Sequence, residues 1–409
     1  MMKKNDTLLI YAPVPLYRDN NGELLIEQQA VNGLRLWAKN FTSVIVMMPL
    51  SCDPPPKGWI QMSAVEGELD RVRIEPLPMS YRPDQFIKTF SSTKRRIAEL
   101  IIEAQFLSFA IGGLFGDWGA VACHVAHRMK RPYAVWTDRV ESEVTRQAAT
   151  VGPFKKRLKA RLTYKPMALL ERLVIRRSSL GLFHGRETYE TYAPYMRGPK
   201  EVVHDIHLAA TDHIDMTSLI NKAKQVADGQ LRLLYVGRAD PMKGPFDWID
   251  VLQSLSKQGI RFHARWLGDG SERDEMLVRI TQAGLQSCVE VPGFINDRQL
   301  ILEEMRAAHI FMFCHLSPES PRCLIEALAS GCPIVGYDSA YPRDLISKNS
   351  GGILVCRGDT AGLAKAIKKL NDNREKLSNL FIAAALDGKP FTDEAVFKHR
   401  SEVIKFNLL

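Results

Sequence analysis

The chain has 409 residues, and at about 100–200 residues per domain this length predicts two or three domains. Hydrophobic residues make up 45% of it and charged residues 25%, which excludes collagen-like and disordered proteins. The seven cysteines form no C-x-x-C pair, so we expect a reduced compartment, no disulfide scaffold and no zinc site.

The formal net charge of +9 is concentrated in the first half. Residues 1–209 hold 30 Lys and Arg against 21 Asp and Glu, whereas residues 210–409 hold 25 of each. Residues 155–177 alone hold nine basic side chains and one acid, Glu171. Such a patch can bind nucleic acid, an anionic lipid surface or a polyanionic substrate.

Strand-like and helical segments alternate along the first half. No secretory signal precedes the first apolar run, so the chain is expected to be cytoplasmic. The apolar stretch at 106–123 is interrupted by Asp117 and four glycines, and it predicts buried core. Residues 51–85 predict loop and edge strand. Apolar runs and periodicity predict strands at Leu8–Tyr11, Val44–Met48, Leu107–Ile111, Tyr133–Trp136 and Gly181–His184, with helices at Leu25–Lys39 and Ala120–Met129.

The second half shows the same alternation more clearly. Ser271 is expected to cap the helix that follows it. Strands are predicted at Leu231–Val236, Phe262–Leu267, Cys288–Val291, His309–Phe313, Pro333–Val335 and Ile353–Val355, with helices at Phe246–Lys257, 271–283, 297–307, 322–330 and 359–371. Strands alternating with helices indicate parallel sheets covered on both faces.

These elements predict an α/β fold of two doubly wound Rossmann-like domains facing a cleft. The domain boundary is expected between 205 and 230, where the chain becomes polar. We therefore divide the chain into 1–205, 230–385 and a helical segment, 386–409, that packs back toward the first domain. In doubly wound sheets, ligands bind outside the carboxyl ends of the strands.

One candidate site is the loop Gly237-Arg238-Ala-Asp-Pro-Met-Lys243-Gly244, which lies between a strand and a helix. Gly237 permits a tight turn, and the N-terminus of the following helix is the positive end of its dipole. Arg238 and Lys243 add two cations across one loop, which suits a diphosphate. The alternative is a solvated loop with two surface charges.

A second candidate site surrounds the helix that is predicted between Pro321 and Gly331. Glu326 lies on its apolar face, where a carboxylate needs a partner, either a ligand or Arg322 four residues earlier. Glu319 precedes the helix. It either offsets the helix dipole or accepts hydrogen bonds from sugar hydroxyls.

In chain order, these motifs resemble the retaining nucleotide-sugar glycosyltransferases of family four (glycosyltransferase group 1), which have the GT-B fold. The resemblance is strong over residues 231–371 and consistent with the whole length. The matching segments are V-G-R…K-G (236–244), Gly268-Asp-Gly270, Val291-Pro-Gly-Phe294 and E…E-A-L-A-S-G-C-P-I-V (319–335).

The resemblance implies a UDP- or GDP-sugar donor that binds the C-terminal domain, with the N-terminal domain on the acceptor side. Arg238 and Lys243 would hold the donor diphosphate. Glu326 would hold the ribose, and Glu319 the sugar. The residues around Phe294 would border the base. The full donor-binding set is Gly237, Arg238, Lys243, Gly268, Asp269, Gly293, Phe294, Arg322, Cys323, Leu324 and Glu326.

The sequence departs from the family pattern at three places. The two glutamates of the family are usually separated by seven residues, whereas Glu319 and Glu326 are separated by six, and Pro318 occupies the expected place. The glycine pair usual near the N-terminus is missing at 17–22. Asp138 lies where many relatives have a histidine that contacts the donor sugar, and it could take that role or cap the segment that follows.

The resemblance predicts Glu319 and Asp138 as catalytic residues, and His184 is interpreted as a core histidine. A retaining mechanism has the acceptor hydroxyl attack from the leaving-group side, so no carboxylate nucleophile is assigned. None of the 23 aspartates lies two residues from another, and the missing D-x-D predicts a metal-independent enzyme without a cofactor. Positive side chains and a helix N-terminus would then stabilise the leaving nucleoside diphosphate.

The implied function is glycosyl transfer in cell-surface or exopolysaccharide synthesis, onto a glycan or glycolipid such as a polyprenyl-diphosphate-linked glycan. A nucleotide-sugar epimerase of the same fold is the alternative. A NAD-dependent oxidoreductase is disfavoured because Gly113-x-x-Gly116 is not a G-x-G-x-x-G motif. Nucleic acid is not an expected partner, since only Phe154 and Tyr164 interleave the basic patch.

The basic patch predicts an amphipathic helix. Phe154, Leu158 and Leu162 follow one another at i, i+4 spacing, and Pro166 is expected to break the helix. Such a helix can lie on an anionic bilayer, which predicts peripheral association with the inner face of the plasma membrane. The alternative is that its apolar side is ordinary core. The patch residues named for this role are Lys155, Lys156, Arg157, Lys159 and Arg161.

Overall fold

The chain forms two compact units. This computed structural model describes residues 6–56, 58–149, 154–226, 229–317 and 319–409, without the side chains of Glu66, Ala148 and Lys156. Unit 1 contains the residues up to His207 together with Asp393–Leu409, and unit 2 contains Leu208–Thr392. The chain leaves unit 1 inside the expected boundary region and returns to it at Asp393, later than the expected start of the C-terminal segment at 386.

Unit 1 is built on a seven-stranded parallel sheet with a small three-stranded antiparallel sheet beside it. Its strands are β1 (Thr7–Tyr11), β2 (Tyr17–Arg18), β3 (Leu24–Glu27), β4 (Ser43–Leu50), β5 (Trp59–Gln61), β6 (Val72–Pro78), β7 (Phe106–Ala110), β8 (Ala134–Thr137), β9 (Leu180–His184) and β10 (Lys200–Val203). The large sheet has the order β10-β9-β8-β7-β1-β4-β6, and β2, β3 and β5 form the small sheet.

The central strands of unit 1 are continuous apolar runs because helices cover both faces of the sheet. Its first six helices are α1 (Gln28–Asn40), α2 (Pro83–Glu103), α3 (Trp118–Arg128), α4 (Glu141–Ala148), α5 (Phe154–Arg177) and α6 (Gly185–Tyr192). One face of the sheet packs against α2, α3 and α5, and the other packs against α1.

Unit 2 is a second doubly wound domain with a six-stranded parallel sheet, ordered β13-β12-β11-β14-β15-β16. Its strands are β11 (Leu231–Val236), β12 (Phe262–Leu267), β13 (Val289–Gly293), β14 (Ile310–Phe313), β15 (Ile334–Tyr337) and β16 (Gly352–Val355). Its helices are α7 (Met216–Gln225), α8 (Pro245–Lys257), α9 (Arg273–Gln282), α10 (Arg298–Ala307), α11 (Arg322–Ala329), α12 (Ala340–Leu345), α13 (Thr360–Asp372) and α14 (Arg374–Gly388).

The last helix, α15 (Asp393–Asn407), belongs to unit 1 and packs against α1. Phe397 contacts Trp37 edge-on, with 5.2 Å between the ring centroids. Lys39 and Glu394 form an ion pair at 2.6 Å. The N-terminal and C-terminal segments of the chain thus share one hydrophobic core.

The α/β fold of two doubly wound domains is confirmed, and every predicted strand is present with small shifts at its ends. Three local predictions are wrong. The helix predicted from Leu25 begins at Gln28, because the preceding apolar residues pair as β3 with β2 and β5. Ser271 does not cap α9, whose N-cap residue is Glu272.

The third error concerns Pro166, which lies inside the continuous helix α5 and does not end it. A proline inside a helix removes one backbone hydrogen bond to the residue four positions earlier. Both Pro166 and Leu162 are exposed, so the carbonyl that loses its partner lies on the solvent side of the helix. Within the described part of the chain, no helix is both long and apolar enough to cross a membrane.

Candidate functional site

The loops at the carboxyl edge of the unit 2 sheet hold one another in place through backbone contacts. The N–H of Gly237 donates to the carbonyl of Leu267 at 3.0 Å, and the N–H of Ala239 donates to the carbonyl of Asp269 at 2.9 Å. Gly268 lies so close that a Cβ there would come within 2.0 Å of the carbonyl oxygen of Gly237. Glycine is therefore required where the loops after β11 and β12 meet.

The loop after β11 also packs against the loop after β14. Gly244 has a φ of +64°, and a Cβ on it would lie 2.1 Å from the carbonyl oxygen of Cys314. The N–H of Leu316 donates to the carbonyl of Met242 at 2.9 Å. These contacts bring the two sequence-predicted motifs together. The loop motif at 237–244 lies between β11 and α8, and the motif around Glu319 and Glu326 lies in the loop after β14 and in α11.

The centre of this region is an ion pair between Lys243 and Glu319. Lys243 Nζ donates to Glu319 Oε1 at 2.7 Å, and the two side chains are only 11% and 16% exposed. The sequence predicted that both residues contact the donor, without predicting that they contact each other. A ligand that has both anionic and hydroxyl groups can bind here, because its anionic group can contact the cation while its hydroxyl groups donate to the carboxylate.

His315 and Tyr235 extend this pair into the core, and sequence reasoning missed both. His315 Nδ1 lies 3.8 Å from Glu319 Oε1, and its Nε2 lies 2.8 Å from the hydroxyl of Tyr235. Burial, with Lys243 nearby, holds the pKa of His315 well below its ordinary value, so the ring is neutral. A neutral His315 can position the Glu319 carboxylate without adding charge. The sequence could have indicated His315 as a site residue, because it lies two residues after β14 at the same edge of the sheet.

Arg238 lies at the outer side of the same loop. Its side chain is exposed and forms an ion pair with Asp240 at 3.0 Å between Nη1 and Oδ2. Asp269 is exposed as well, and its Oδ1 accepts from the N–H of Gly270 at 2.9 Å. The two loop cations therefore differ, because Lys243 is buried and held by Glu319 whereas Arg238 is exposed and paired with Asp240.

Gly293 ends β13 and Phe294 follows it, at the next position along the edge. The N–H of Gly268 donates to the carbonyl of Gly293 at 2.9 Å, so this segment adjoins the loop after β12. The ring of Phe294 is exposed. An exposed aromatic ring at the edge of a ligand site is suited to stacking on a planar base.

Helix α11 carries the remaining predicted donor residues. Its N-terminus follows Pro321, and Leu324 is fully buried in the core. The thiol of Cys323 has its pKa raised to about 12 by burial, so it is neither a thiolate nor a nucleophile. Arg322 begins the helix at the same edge. Pro318, the departure noted in the sequence, lies outside the described residues.

Glu326 has a protein partner other than Arg322, which the sequence offered as the alternative to a ligand. Its Oε1 accepts from Arg298 Nη1 of α10 at 3.1 Å, so Arg298 and not Arg322 holds this carboxylate. Arg298 also lies 3.8 Å from Asp212 Oδ2. The sequence could not show this contact because it joins α10 and α11 across the fold. The side chains of Glu326 and Glu319 are 15% and 16% exposed, so neither lies deeper than the other.

Asp138 and His184 lie in unit 1, at the carboxyl ends of β8 and β9. His184 is buried, and its Nδ1 accepts from the N–H of Asp205 at 3.1 Å. Asp138 is half exposed, with its Oδ1 3.9 Å from His184 Nε2. His184 is thus the hydrogen-bonded core histidine that the sequence predicted.

The glycine-rich loop after β7 binds a carboxylate of its own chain. Asp117 Oδ2 accepts from the N–H groups of Gly112 and Gly113 at 3.0 Å each, and its Oδ1 accepts from Ala120 at 2.9 Å. Burial raises the pKa of Asp117. The backbone N–H groups that would bind a dinucleotide phosphate in this loop already donate to Asp117. The glycine-rich segment therefore gives no support to an oxidoreductase.

The basic patch forms the outer surface of α5. Phe154, Leu158 and Leu162 are 75%, 46% and 68% exposed, so this stripe is not part of the core. Glu171, the acid of the segment, points inward and accepts from the N–H and Oγ of Ser142 at 3.0 and 2.6 Å. Lys155, Lys159 and Arg161 are exposed and Arg157 is half-buried, while the Lys156 side chain lies outside the described set.

Two doubly wound units with these loops define a GT-B glycosyltransferase fold, and solved structures share it over almost the whole chain. The chain is similar to Anabaena HepE, whose crystal structure is in complex with UDP, with a TM-score of 0.68, 16% identity, and 98% of this chain and 100% of that chain covered. It is also similar to WaaG, a glycosyltransferase involved in lipopolysaccharide biosynthesis, with a TM-score of 0.62, 13% identity, and 97% and 99% covered. At these identities the likeness shows the fold alone.

The match to a family model lies within unit 2. Residues 217–386 match the family model for glycosyl transferases group 1. The chain is 26% identical over 191 residues to the amylovoran biosynthesis glycosyltransferase AmsK of Erwinia amylovora, covering 45% of this chain and 47% of that protein. The chain thus spans less than half the length of the curated relatives that it matches.

Proposed function

We propose that this protein is a retaining glycosyltransferase that moves a sugar from a nucleoside-diphosphate sugar to a glycan or glycolipid acceptor. The observation that carries the proposal is the contact between Lys243 and Glu319 at the carboxyl edge of the unit 2 sheet. A nucleoside-diphosphate sugar brings both groups that this pair needs, phosphate oxygens for the cation and hydroxyl donors for the carboxylate. The group 1 match of residues 217–386 supports this assignment.

In this proposal, the bond between the sugar and the donor phosphate breaks while the acceptor oxygen bonds to the same carbon from the same face. The acceptor proton passes to the departing phosphate oxygen. Lys243 and Arg238 stabilise the charge that develops on the leaving diphosphate, together with the N-terminus of α11. Glu319 accepts from sugar hydroxyls and fixes the ring. Asp138 of unit 1 contacts the donor sugar in place of the histidine that many relatives have there.

Glu326 and Phe294 are proposed to bind the nucleoside. Glu326 accepts from the ribose hydroxyls, and Arg298 holds that carboxylate in place. Phe294 borders the base. Since HepE was crystallised in complex with UDP, UDP is the first nucleotide to test, and GDP is the second. No divalent metal or other cofactor takes part in the proposed reaction, because the charges on the leaving group are neutralised by side chains.

The acceptor is proposed to be a growing cell-surface or extracellular polysaccharide. The Erwinia amylovora relative is named for amylovoran biosynthesis, and WaaG for lipopolysaccharide biosynthesis, which supports this class. Helix α5 is proposed to hold the enzyme at the cytoplasmic face of an anionic membrane, where a polyprenyl-diphosphate-linked glycan would be presented.

Calorimetry with UDP and GDP tests the donor site directly. The Lys243→Ala variant should bind the preferred nucleotide at least about tenfold more weakly, since charge-assisted contacts contribute about 1.5–3 kcal/mol each. Lys257→Ala, at the far end of α8, is the matched control and should bind like the wild type. Equal affinity in both variants would exclude Lys243 from the site.

A further inference from the structure

Unit 1 contains an apolar cavity of about 250 Å³ between α2, α3 and α5. Its lining is mainly aromatic and aliphatic, with Phe86, Phe90, Leu114, Leu170, Leu173 and Val174 among its walls. An apolar cavity of about 150 Å³ holds benzene, so by the same ratio this cavity holds about ten carbon atoms. That is a segment of one hydrocarbon chain, and it is too small for a whole lipid.

Cations surround one end of this cavity. Arg177 and His124 line it, and the electrostatic neighbours of His124 include Lys94 and Arg128. The cations are Lys94, Arg128 and Arg177, since partial burial and these neighbouring charges lower the pKa of His124. All four side chains are exposed, and they come from three different helices. Among the described residues, no carboxylate forms an ion pair with Lys94, Arg128 or Arg177. An apolar interior with an uncompensated positive rim is complementary to an amphiphile with an anionic head group.

The position of the rim distinguishes two kinds of amphiphile. Leu114 and Asp117 lie at the carboxyl end of the sheet, whereas Arg177 lies near Tyr133, directly before the amino end of β8. From Asp117 to His124 along α3 is about 10 Å. An acceptor diphosphate is needed at the carboxyl edge, so the cationic rim is at the wrong end for it. The rim suits the head group of a lipid that is not the acceptor.

The cavity is also continuous with the exposed apolar surface of α5. Leu170 and Leu173 line it, and Leu169 and Leu173 are exposed on the same helix as Phe154 and Leu158. A lipid bilayer in contact with α5 therefore meets the mouth of the cavity. We propose that this cavity takes one acyl chain of an anionic membrane phospholipid while the cationic rim holds its phosphate, which would anchor unit 1. This inference extends the membrane contact of α5 within the proposed function and does not require the transferase reaction.

A chain-length series tests the cavity with soluble probes. Hexyl, octyl, decyl and dodecyl phosphate are titrated by calorimetry below their micelle concentrations. Each buried methylene should strengthen binding about fourfold up to about ten carbons, after which affinity should become constant because the cavity is full. Absence of saturable binding, or affinity that keeps rising through the longest chain, would overturn the proposal.

Two cavity-filling variants and one control localise the binding. Val121→Phe and Leu173→Trp should each weaken decyl phosphate at least about tenfold. Ile87→Phe lies exposed on α2, outside the lining, and should bind like the wild type. Thermal unfolding and UDP affinity are measured for every variant, so a folding defect is recognised. Equal binding by all three folded variants would place the probe elsewhere.

The rim is tested by charge removal. Arg177→Gln should weaken decyl phosphate about fivefold or more and leave decanol binding unchanged, because only the phosphate contacts the rim. Arg95→Gln, exposed on α2, is the matched control. A loss of both ligands, or of neither, would reject the assigned head-group position.

Lipid vesicles and farnesyl phosphate test whether the hydrocarbon chain in the cavity belongs to a phospholipid or to an isoprenoid. Vesicles of phosphatidylglycerol should bind Val121→Phe several-fold more weakly than the wild type, although the sequence of α5 is the same in both proteins. Vesicles of phosphatidylcholine should bind both proteins weakly. Farnesyl phosphate that binds tighter than decyl phosphate would assign the cavity to an isoprenoid and overturn the phospholipid. UDP binding is an independent measurement, so failure of the donor site leaves these results interpretable.

Discussion

At the scale of single residues, Lys243 and Glu319 depend on each other. Because both are largely buried, removing one leaves the other charge without its partner. Glu319→Gln and Lys243→Met should each lower the free energy of unfolding by up to about 3 kcal/mol, while the double variant should recover much of that loss. Urea unfolding of all four proteins measures the coupling. Additive losses would mean that the contact does not stabilise the fold.

Nucleotide binding and turnover should separate between the two glutamates. Glu326→Gln retains the shape of the side chain but weakens its contact with Arg298, so UDP or GDP affinity should fall about tenfold. Glu319→Gln should reduce turnover by a larger factor than it reduces nucleotide affinity, because Glu319 is assigned to the sugar. Calorimetry and initial rates check both. Wild-type values in both variants would make the carboxylates structural.

His309 predicts an acid sensitivity in unit 2. Its Nδ1 accepts from the N–H of Arg232, and burial lowers its pKa from 6.5 to about 3. The unfolded state therefore binds the extra proton between these values, and stability is lost as pH falls below about 6.5. His309→Asn keeps an acceptor oxygen without titrating.

The comparison is made by urea unfolding at pH 7 and pH 4. The wild type should lose about 3 kcal/mol more than His309→Asn over this interval. His127→Asn, an exposed histidine of α3, serves as the control and should behave like the wild type. Identical losses in wild type and His309→Asn would show that the ring is not held neutral.

Site residues could be predicted from the sequence where the pattern that indicates them is local along the chain. Lys243, Glu319 and Glu326 were named as candidates because they lie in short motifs beside a strand or helix. His315, Tyr235 and Arg298 were missed because their contacts join separate strands or helices. For the same reason, Arg298 was not among the partners considered for Glu326, which were a ligand or Arg322. A sequence lists which residues are near along the chain, and only the fold shows which are near in space.

At the scale of elements, buried strands were the most predictable feature. β1 and β7 are short apolar runs that both faces of the sheet bury. The helix α2 was missed although Pro83 starts it and its apolar periodicity is as strong as that of α1. The start of α1 was misplaced because pairing within the small sheet overrides the helical preference of Leu25–Glu27.

Helix α5 gives a prediction at this scale. Replacing Lys155, Lys159 and Arg161 by glutamine should reduce sedimentation with anionic vesicles about tenfold or more, since each basic residue near such a surface contributes about 1 kcal/mol. Replacing Lys365, Lys369 and Lys376, which are exposed in unit 2, is the matched control. Binding of the wild type should weaken with salt.

Two results would contradict a membrane role for α5. One is equal sedimentation with neutral vesicles, which would make charge irrelevant. The other is an equal loss in both triple variants, which would reflect net charge alone and not this surface.

At the scale of the whole molecule, nucleotide binding should appear as added stability that does not depend on metal. A ligand that binds only the native state at about 100 times its Kd adds about 2.7 kcal/mol. For a unit of roughly 150–250 residues this corresponds to a rise in Tm of about 5–10 °C. At one UDP concentration, UDP should therefore raise the Tm of the wild type about twice as far as that of Lys243→Ala, or further, because a tenfold weaker Kd leaves only about 1.4 kcal/mol of added stability. The same shift is expected with a chelator present, because Lys243 and Arg238 supply the positive charge at the diphosphate. A shift that disappears with chelator and returns with magnesium or manganese would show that a metal completes the site.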